Sequence, residues 1–447
     1  MTTLAVKIGF VAIARPTFDV PLAEEMTARV RASLQSAGLS LYGPDALIMG
    51  DDGVQDAIAH FNDNPPDLLL VLQASFADST MVHQIAEAID APLIMWALPE
   101  DRTGGRLRLN SFCGINLAGH ALKRAGLSYD TIYDAPESDS AINKVRAHAT
   151  AAAVKAKLKT ARIGRVGENP AGFETCLFDA NMLKKRIGVE VVQVDLQTVF
   201  AGARAVEPQK VAAVEAQVRE QVAGIDEVDL AETRGTLSTY VTLNEMTEAQ
   251  DLQGMAVRCW PEFFTDLGCS ACGAMSMLTN NMKPASCEAD VNGTITQLIL
   301  QWISGEAAFG TDMVDFDVAD DTAVLWHCGL APLSMADPHS VPSAALHSNR
   351  KKPLLMQFPL KPGRVTIARL SEAGGELKMV IGGGEMLKRP MAFGGTSGTL
   401  RFDSGTQSAM DTILNEGLEH HVSITYGDHQ ETLMALAKQL KIPVLRL

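Results

Sequence analysis

The chain has no run of about 18 uncharged apolar residues, so no segment reads as a membrane-spanning helix. Aromatic residues are sparse, at 5% of 447, and none interleave with a basic stripe. Lys and Arg number 38 against 53 Asp and Glu, a formal net charge of −15. That balance favours solubility and argues against a phosphate-backbone partner, so no nucleic acid is expected. Cysteine is scarce and odd in number, at seven. This is no disulfide framework, and it fits a reducing cytoplasm. Cys269-x-x-Cys272 has no second pair at metal spacing and reads as structural thiols. Gly382 to Gly384 precede no helical pattern and form no phosphate loop. The apolar N-terminal stretch has no small-residue cleavage site before Arg15-Pro16, so it reads as a first buried strand.

What is present is ordinary globular composition, 47% hydrophobic and 20% charged, in a chain long enough for two or three domains. Residues 6–14, 67–72 and 92–98 read as buried strands. Residues 21–37 set Leu22, Met26, Val30 and Leu34 on one helical face, and 78–89 and 114–125 are further helices. Strands alternating with helices imply a doubly wound parallel sheet over residues 1–155. Its cleft loops, at the carboxyl ends of strands, are 15–19 and 99–110. The pattern restarts at Arg162, with strand 162–166, helix 174–187, strand 189–196 and a mostly helical 201–249. We expect a second doubly wound α/β domain over 156–345. Beyond it, short apolar segments alternate with glycine-rich turns, and helical periodicity lapses across 352–402. The expectation there is a C-terminal antiparallel β-barrel-like domain, 346–447. It should close with a strand at 422–426, a helix opening at Asp428 with Glu431 at capping-box spacing, and a strand at 442–447.

Chemistry concentrates in residues 287–329. Glu288 stands where a short strand meets a helix, a position from which a side chain can enter a cleft. Asp312 opens a hairpin-like segment that ends in His327-Cys328-Gly329. A second imidazole source is His420-His421, before an apolar strand. Carboxylates with a neutral imidazole suit a hard divalent ion such as Mn²⁺, Mg²⁺ or Co²⁺. No organic cofactor is expected. Acidic groups at strand ends are more often caps or solvated charges, and Asp315, Asp317, Asp320 and Asp321 read as turn and edge charges.

Several motifs together add weight. Arg258-Cys259-Trp260-Pro261-Glu262-Phe263, Cys287-Glu288-Ala289-Asp290-Val291-Asn292-Gly293 and Trp326-His327-Cys328-Gly329 resemble the L-fucose/L-arabinose isomerase superfamily, and more narrowly its shorter fucose-isomerase-like branch. Arg15 to Asp19, Leu109 to Gly114 and His420-His421 are similar to that branch too, so the likeness runs over the whole chain. Asn292-Gly293-Thr294-Ile295 and residues 273–280 depart from the pattern. The resemblance implies two α/β domains with a β-barrel domain after them. It implies a metal-dependent aldose–ketose isomerase, with Glu288 and Asp312 as catalytic carboxylates that also bind metal. His421 is the implied third ligand. A histidine that ligates metal in arabinose isomerases maps to His327. Arg15, Trp260 and His327 are the implied substrate contacts.

Moving a carbonyl from C1 to C2 removes a proton next to a carbonyl, and a divalent ion stabilises the enediolate charge while carboxylates shuttle the proton; a metal-assisted hydride shift would use the same residues. The substrate is expected to be a hexose or modified hexose. The branch includes isomerases for sulfoquinovose, the 6-sulfonated glucose. Arg15, Arg102, Arg106 and Arg108 are candidate sulfonate partners, with ordinary surface roles as the alternative. The rival functions are a non-catalytic sugar-binding protein and a metal-assisted sugar epimerase. A homo-oligomer is expected, with the 15–19 loop of one copy completing the pocket of another. The alternative for that loop is a tight turn in which Asp19 caps the next helix.

Overall fold

A computed structural model describes residues 6–447. The chain divides into two compact units that meet between Ala156 and Lys157. The first holds β1 (Ile8–Ile13), β2 (Leu41–Tyr42), β3 (Leu68–Gln73), β4 (Leu93–Ala97) and β5 (Asp130–Tyr133). They lie in the order β2-β1-β3-β4-β5 and all pair in parallel. Side chains alternate between faces. Phe10, Leu70 and Leu72 pack with Val30, Leu34 and Val145 of helices Val20–Ser36 and Asp139–Leu158. Val11, Leu69 and Val71 pack with Val54, Ile85 and Leu122 of helices Asp51–Asp63, Ser79–Ala88 and Ser111–Arg124. Both faces are covered, as expected of a doubly wound sheet, and the strands read as continuous apolar runs for that reason. Helix Asp51–Asp63 and the short edge strands β2 and β5 are additions to the sequence reading.

Strand order reverses between β1 and β3, so the loops after them flank a crevice. There the Arg15 backbone N–H donates to Ser75 Oγ at 3.1 Å. Asp19 caps the helix that follows, accepting from the Leu22 N–H at 3.2 Å. The neighbouring 99–110 loop folds over the Glu100 carboxylate, which accepts from the N–H groups of Arg108 and Asn110 at 2.6 and 2.8 Å.

The second unit opens with β6 (Arg162–Val166), β7 (Glu190–Val194), β8 (Gly254–Val257) and β9 (Ala285–Ser286), parallel in the order β7-β6-β8-β9. The expected helix over 174–187 is split. A single 3₁₀ turn, Glu174–Cys176, precedes helix Ala180–Arg186, which Asp179 caps. The interruption places Thr175 and Cys176 against the site described below.

The remaining strands are β10 (Phe309–Asp317), β11 (Thr322–His327), β12 (Ser343–Ala345), β13 (Leu355–Pro359), β14 (Gly363–Ser371), β15 (Lys378–Leu387), β16 (Thr396–Phe402), β17 (His421–Tyr426) and β18 (Val444–Arg446). They form one sheet in the order β12-β13-β16-β11-β10-β17-β14-β15-β18, with β15 also paired to β16. This sheet is mixed rather than wholly antiparallel, because β13–β16 and β15–β18 run parallel. It also takes in the β10–β11 hairpin, which the sequence reading assigned to the preceding domain. The reason is the partner: β10 bonds to β17, more than a hundred residues later, and local periodicity carries no trace of that. The capping box at Asp428 does not form. Helix Gln430–Gln439 has His429 at its N-cap with no side-chain bond, and Arg364 holds the Asp428 carboxylate at 3.0 Å. Helix Val291–Ser304 is buried almost all round and packs against β8, β14 and β17, joining the second sheet to the third through one core.

Candidate active site

Loops at the carboxyl ends of β6, β8 and β9 supply Asn169, Trp260 and Glu288. The large sheet supplies Asp312 from β10, His327 from the end of β11, and His421 from the start of β17. Asp312 is register partner to both Trp326 and His421, so two antiparallel ladders set its place.

Glu288 and Ala289 both adopt left-handed backbone, at φ 58° and 55°, which a residue with a Cβ enters at a cost of about 1–3 kcal/mol. The Asn169 side-chain amide stabilises the turn, donating to the carbonyls of Glu288 and Ala289 at 2.9 and 3.1 Å. So held, Glu288 reaches three partners. Trp260 Nε1 donates to Oε1 at 3.2 Å, His420 Nε2 lies 3.2 Å from Oε2, and the Cys176 thiol stands 3.7 Å from Oε2. Burial pushes the Glu288 carboxyl up. The bond to His420, the charge of His421 and the bond from Trp260 outweigh it, and the net shift is downward.

His421 lies at the centre. Its Nδ1 is 3.0 Å from Asp290 Oδ2. Its Nε2 is 3.1 Å from Asp312 Oδ1 and 3.9 Å from Glu288 Oε2. Asp290 is fully buried and paired with Arg369 at 2.5 and 3.0 Å, and it also caps helix Val291–Ser304 through the Gly293 N–H. A Cβ at position 293 would run into the Asp290 carboxylate, so that position must be glycine for the pair to form. Burial pushes the His421 imidazole down, but the carboxylates of Asp290 and Asp312 hold it well above its ordinary value. Asp312 is pushed up by burial and brought down to about 2 by His327, His421 and His420. Its Oδ1 is nonetheless buried with no hydrogen-bond partner, because His421 Nε2 lies off the line that such a bond needs.

His327 differs. Its Nδ1 accepts from the Cys328 backbone N–H at 2.8 Å, so the neutral ring carries its proton on Nε2. Burial pulls its pKa down to about 4 against the charge of Asp312. At neutral pH it is an uncharged donor.

Two groups of potential ligand atoms share His421, each within 4.8 Å of one another: Cys176, Glu288, His420 and His421, and Asp312, His327 and His421. The two carboxylates therefore meet through His421. Cis ligands of an ion at ~2.1 Å stand about 3 Å apart. The 3.1 Å spacing of His421 Nε2 and Asp312 Oδ1 fits that, and the orphaned oxygen and the Asp290-oriented imidazole suit a hard divalent ion.

Residues 9–159 match the family model described as fucose/sulfoquinovose isomerase, N-terminal domain. Residues 325–447 match the one described as L-fucose isomerase, C-terminal domain. The chain is 29% identical over 435 residues to the sulfoquinovose isomerases of Priestia aryabhattai and Priestia megaterium, covering 97% of each chain. It is 28% identical over 439 residues to that of Alkalicoccus urumqiensis, covering 98% of both. The chain belongs to the fucose/sulfoquinovose isomerase family.

Glu288 and Asp312 lie between the two stretches that match the fucose/sulfoquinovose isomerase models, within the span the relatives cover. The structure brings together Glu288, Asp312, His421, His327 and Trp260 of the sequence candidates. Arg15 belongs to the first unit, where its guanidinium lies 5.8 Å from the Phe76 ring centroid. Two other arginines proposed for a sulfonate are already engaged, Arg108 by Asp19 at 2.8 Å and Arg106 by the Thr17 carbonyl at 3.3 Å. The sequence reading assigned no role to His420, Asp290, Asn169, Cys176 or Arg369. Asp290 sits inside a quoted motif and His420 beside a quoted ligand; adjacency was the one available signal.

Proposed function

We propose that this chain is a metal-dependent aldose–ketose isomerase acting on a hexose, with sulfoquinovose as the leading substrate. The observation that carries the reading is the convergence on His421 Nε2 of two carboxylates, one with a buried oxygen that has no hydrogen bond. The relatives' names supply the substrate class.

Glu288, Asp312 and His421 would hold Mn²⁺, or Mg²⁺ or Co²⁺ in its place. The ion would neutralise the negative charge that builds on the sugar oxygens as the C2 proton leaves. Glu288 and Asp312 are both held ionised, so each is ready to take a proton at neutral pH. His420 and Trp260 fix the Glu288 carboxylate by hydrogen bonds, and His327 offers its Nε2–H to a sugar oxygen. Asp290, itself held by Arg369, would keep the proton of the neutral His421 ring on Nδ1 and leave the Nε2 lone pair free for the ion. The enediolate is the path these groups serve.

We read residues 346–447 together with the β10–β11 hairpin as the barrel-like part, because the pairings β10–β11–β16–β15–β14–β17 return to β10. We also read the enzyme as a cytoplasmic homo-oligomer in which the Arg15 loop of one copy closes the site of another. Seven free cysteines accord with a reducing compartment. No helix among the described residues is long and apolar enough to cross a membrane.

The test is incubation with Mn²⁺ and a panel of sulfoquinovose, glucose, fucose and arabinose, followed by NMR for the ketose. Glu288→Gln should keep its circular dichroism and lose turnover by at least about a thousandfold, since it removes a proton-transfer group and a ligand together. Ketose formation by that variant at the wild-type rate would defeat the assignment. Binding without turnover in the wild type would favour a sugar-binding protein, and a C2 epimer instead of a ketose would favour an epimerase.

A further inference from the structure

We propose that Arg350 recognises an anionic group, a C6 sulfonate, at the far end of the sugar; the placement rests on the isomerase reading of Glu288 and Asp312. The Arg350 guanidinium lies 5.5 Å from the Trp260 ring centroid and 5.9 Å from that of Phe264. The same Trp260 indole donates to Glu288. One aromatic side chain therefore touches the catalytic carboxylate and seats a cation.

The loop that carries Arg350 is tied down. The backbone N–H of His347 donates to the Lys352 carbonyl at 2.9 Å, and that of Lys351 to the His347 carbonyl at 2.8 Å. The His347 ring meets Phe264 edge-on, with centroids 5.1 Å apart. Three other cations around the site are paired with carboxylates, Arg258 with Glu262 at 2.8 Å, Lys352 with Glu232, and Arg369 with Asp290, and Arg165 is engaged by the Asn169 and Gln193 side-chain oxygens at 2.6 and 3.3 Å. Among the described residues no carboxylate pairs with Arg350, so its charge is left for a ligand.

Distance and chemistry agree. With C1 and C2 at the carboxylates, C6 of an extended hexose stands roughly 6 Å away, given C–C bonds of about 1.5 Å. Trp260 bridges a gap of that order, with its Nε1 3.2 Å from Glu288 Oε1 and its ring centroid 5.5 Å from the Arg350 guanidinium. Stacking on an aromatic face fixes the guanidinium plane, and its fork of N–H donors matches two oxygens of a sulfonate. A hexose that ends in CH₃ offers no acceptor to this cation, and one that ends in CH₂OH offers a single neutral one. The arginine would thus set substrate preference without taking part in proton transfer.

The experiment measures calorimetric binding of sulfoquinovose and of 6-deoxyglucose, its counterpart without the sulfonate, to the Mn²⁺-loaded full chain. Arg350→Ala should weaken sulfoquinovose binding about 10- to 100-fold, the loss of one charge-assisted bidentate contact, and leave 6-deoxyglucose within about threefold. Arg350→Lys keeps the charge but not the fork, and should fall between. In turnover the loss should appear in KM and spare kcat. Arg350 is exposed, so its replacement should not move the melting temperature. Unchanged sulfoquinovose binding in Arg350→Ala overturns the proposal. So does an equal loss for both sugars, which would make the arginine structural, or no binding by the wild type. Failure of the isomerase reading shows separately, as absent turnover in a wild type whose binding still depends on Arg350.

Discussion

Replacing Asp290 by Asn tests whether a buried ion pair orients the central imidazole. The side chain keeps its shape and loses its charge. Three contacts change at once. Arg369, 2% exposed, loses its close carboxylate partner and keeps the Thr175 carbonyl at 3.4 Å and the more distant Glu419 carboxylate, with Nε to Oε2 at 3.9 Å. The helix cap through Gly293 weakens from a charged to a neutral acceptor. His421 Nδ1 faces an amide in place of a carboxylate. Leaving a buried charge wholly unpaired costs about 3–5 kcal/mol, which is the upper bound here because Glu419 remains, and the weakened cap adds a fraction of one. If the amide nitrogen turns toward His421, Nδ1 becomes the acceptor and the proton moves to Nε2, where a cation should bind. Outer partners of ligating histidines are worth about 10- to 100-fold in metal affinity. Asp290→Asn should therefore bind Mn²⁺ that much more weakly by titration calorimetry and unfold at lower urea. Wild-type Mn²⁺ affinity in a folded Asp290→Asn protein would refute the argument, whatever the stability change.

Two further outcomes are expected. In the metal-free protein, the raised His421 pKa contributes stability that is fully present below about pH 6.5, the unfolded value, and fades as pH rises through the folded pKa. Mn²⁺ requires the neutral ring, so its affinity should fall about tenfold per pH unit below that folded pKa; urea midpoints against pH, with and without the ion, should slope in opposite directions. For assembly, Arg15→Ala and Glu288→Gln should each be inactive alone. After dissociation and remixing they should recover part of the activity, because some hybrid pockets carry neither lesion; folded hybrids with no activity would rule out a site shared between subunits.

The parallel strands were legible because a strand covered on both faces must be apolar throughout, as Leu68 to Leu72 are. The β10–β11 hairpin was legible from its polar turn. The large sheet was not. β13 and β16 pair in parallel although residues 360–395 lie between them, and short apolar segments between glycines look the same in either direction. Three site residues, Glu288, Asp312 and His421, were implied by the family resemblance, Glu288 and His421 from within its motifs. Arg350 showed in none, since a guanidinium on an indole needs only a nearby ring and leaves no periodic mark.

The isomerase assignment was implied by the motifs' resemblance to a family; from its residue pattern alone this protein was determined to be an acidic α/β chain with parallel sheets and with carboxylates and a histidine gathered in residues 287–329. Hydrophobic periodicity and chain-local spacing carry that information, because burial of a face is decided within a few residues. Only the tertiary structure decided that Glu288 and Ala289 sit in left-handed backbone under Asn169. It also decided that Asp290 aims His421, and that Arg350 rests on the ring that touches Glu288. Those contacts join residues 28 to 131 positions apart, and packing of separate sheets, rather than local propensity, brings them within reach.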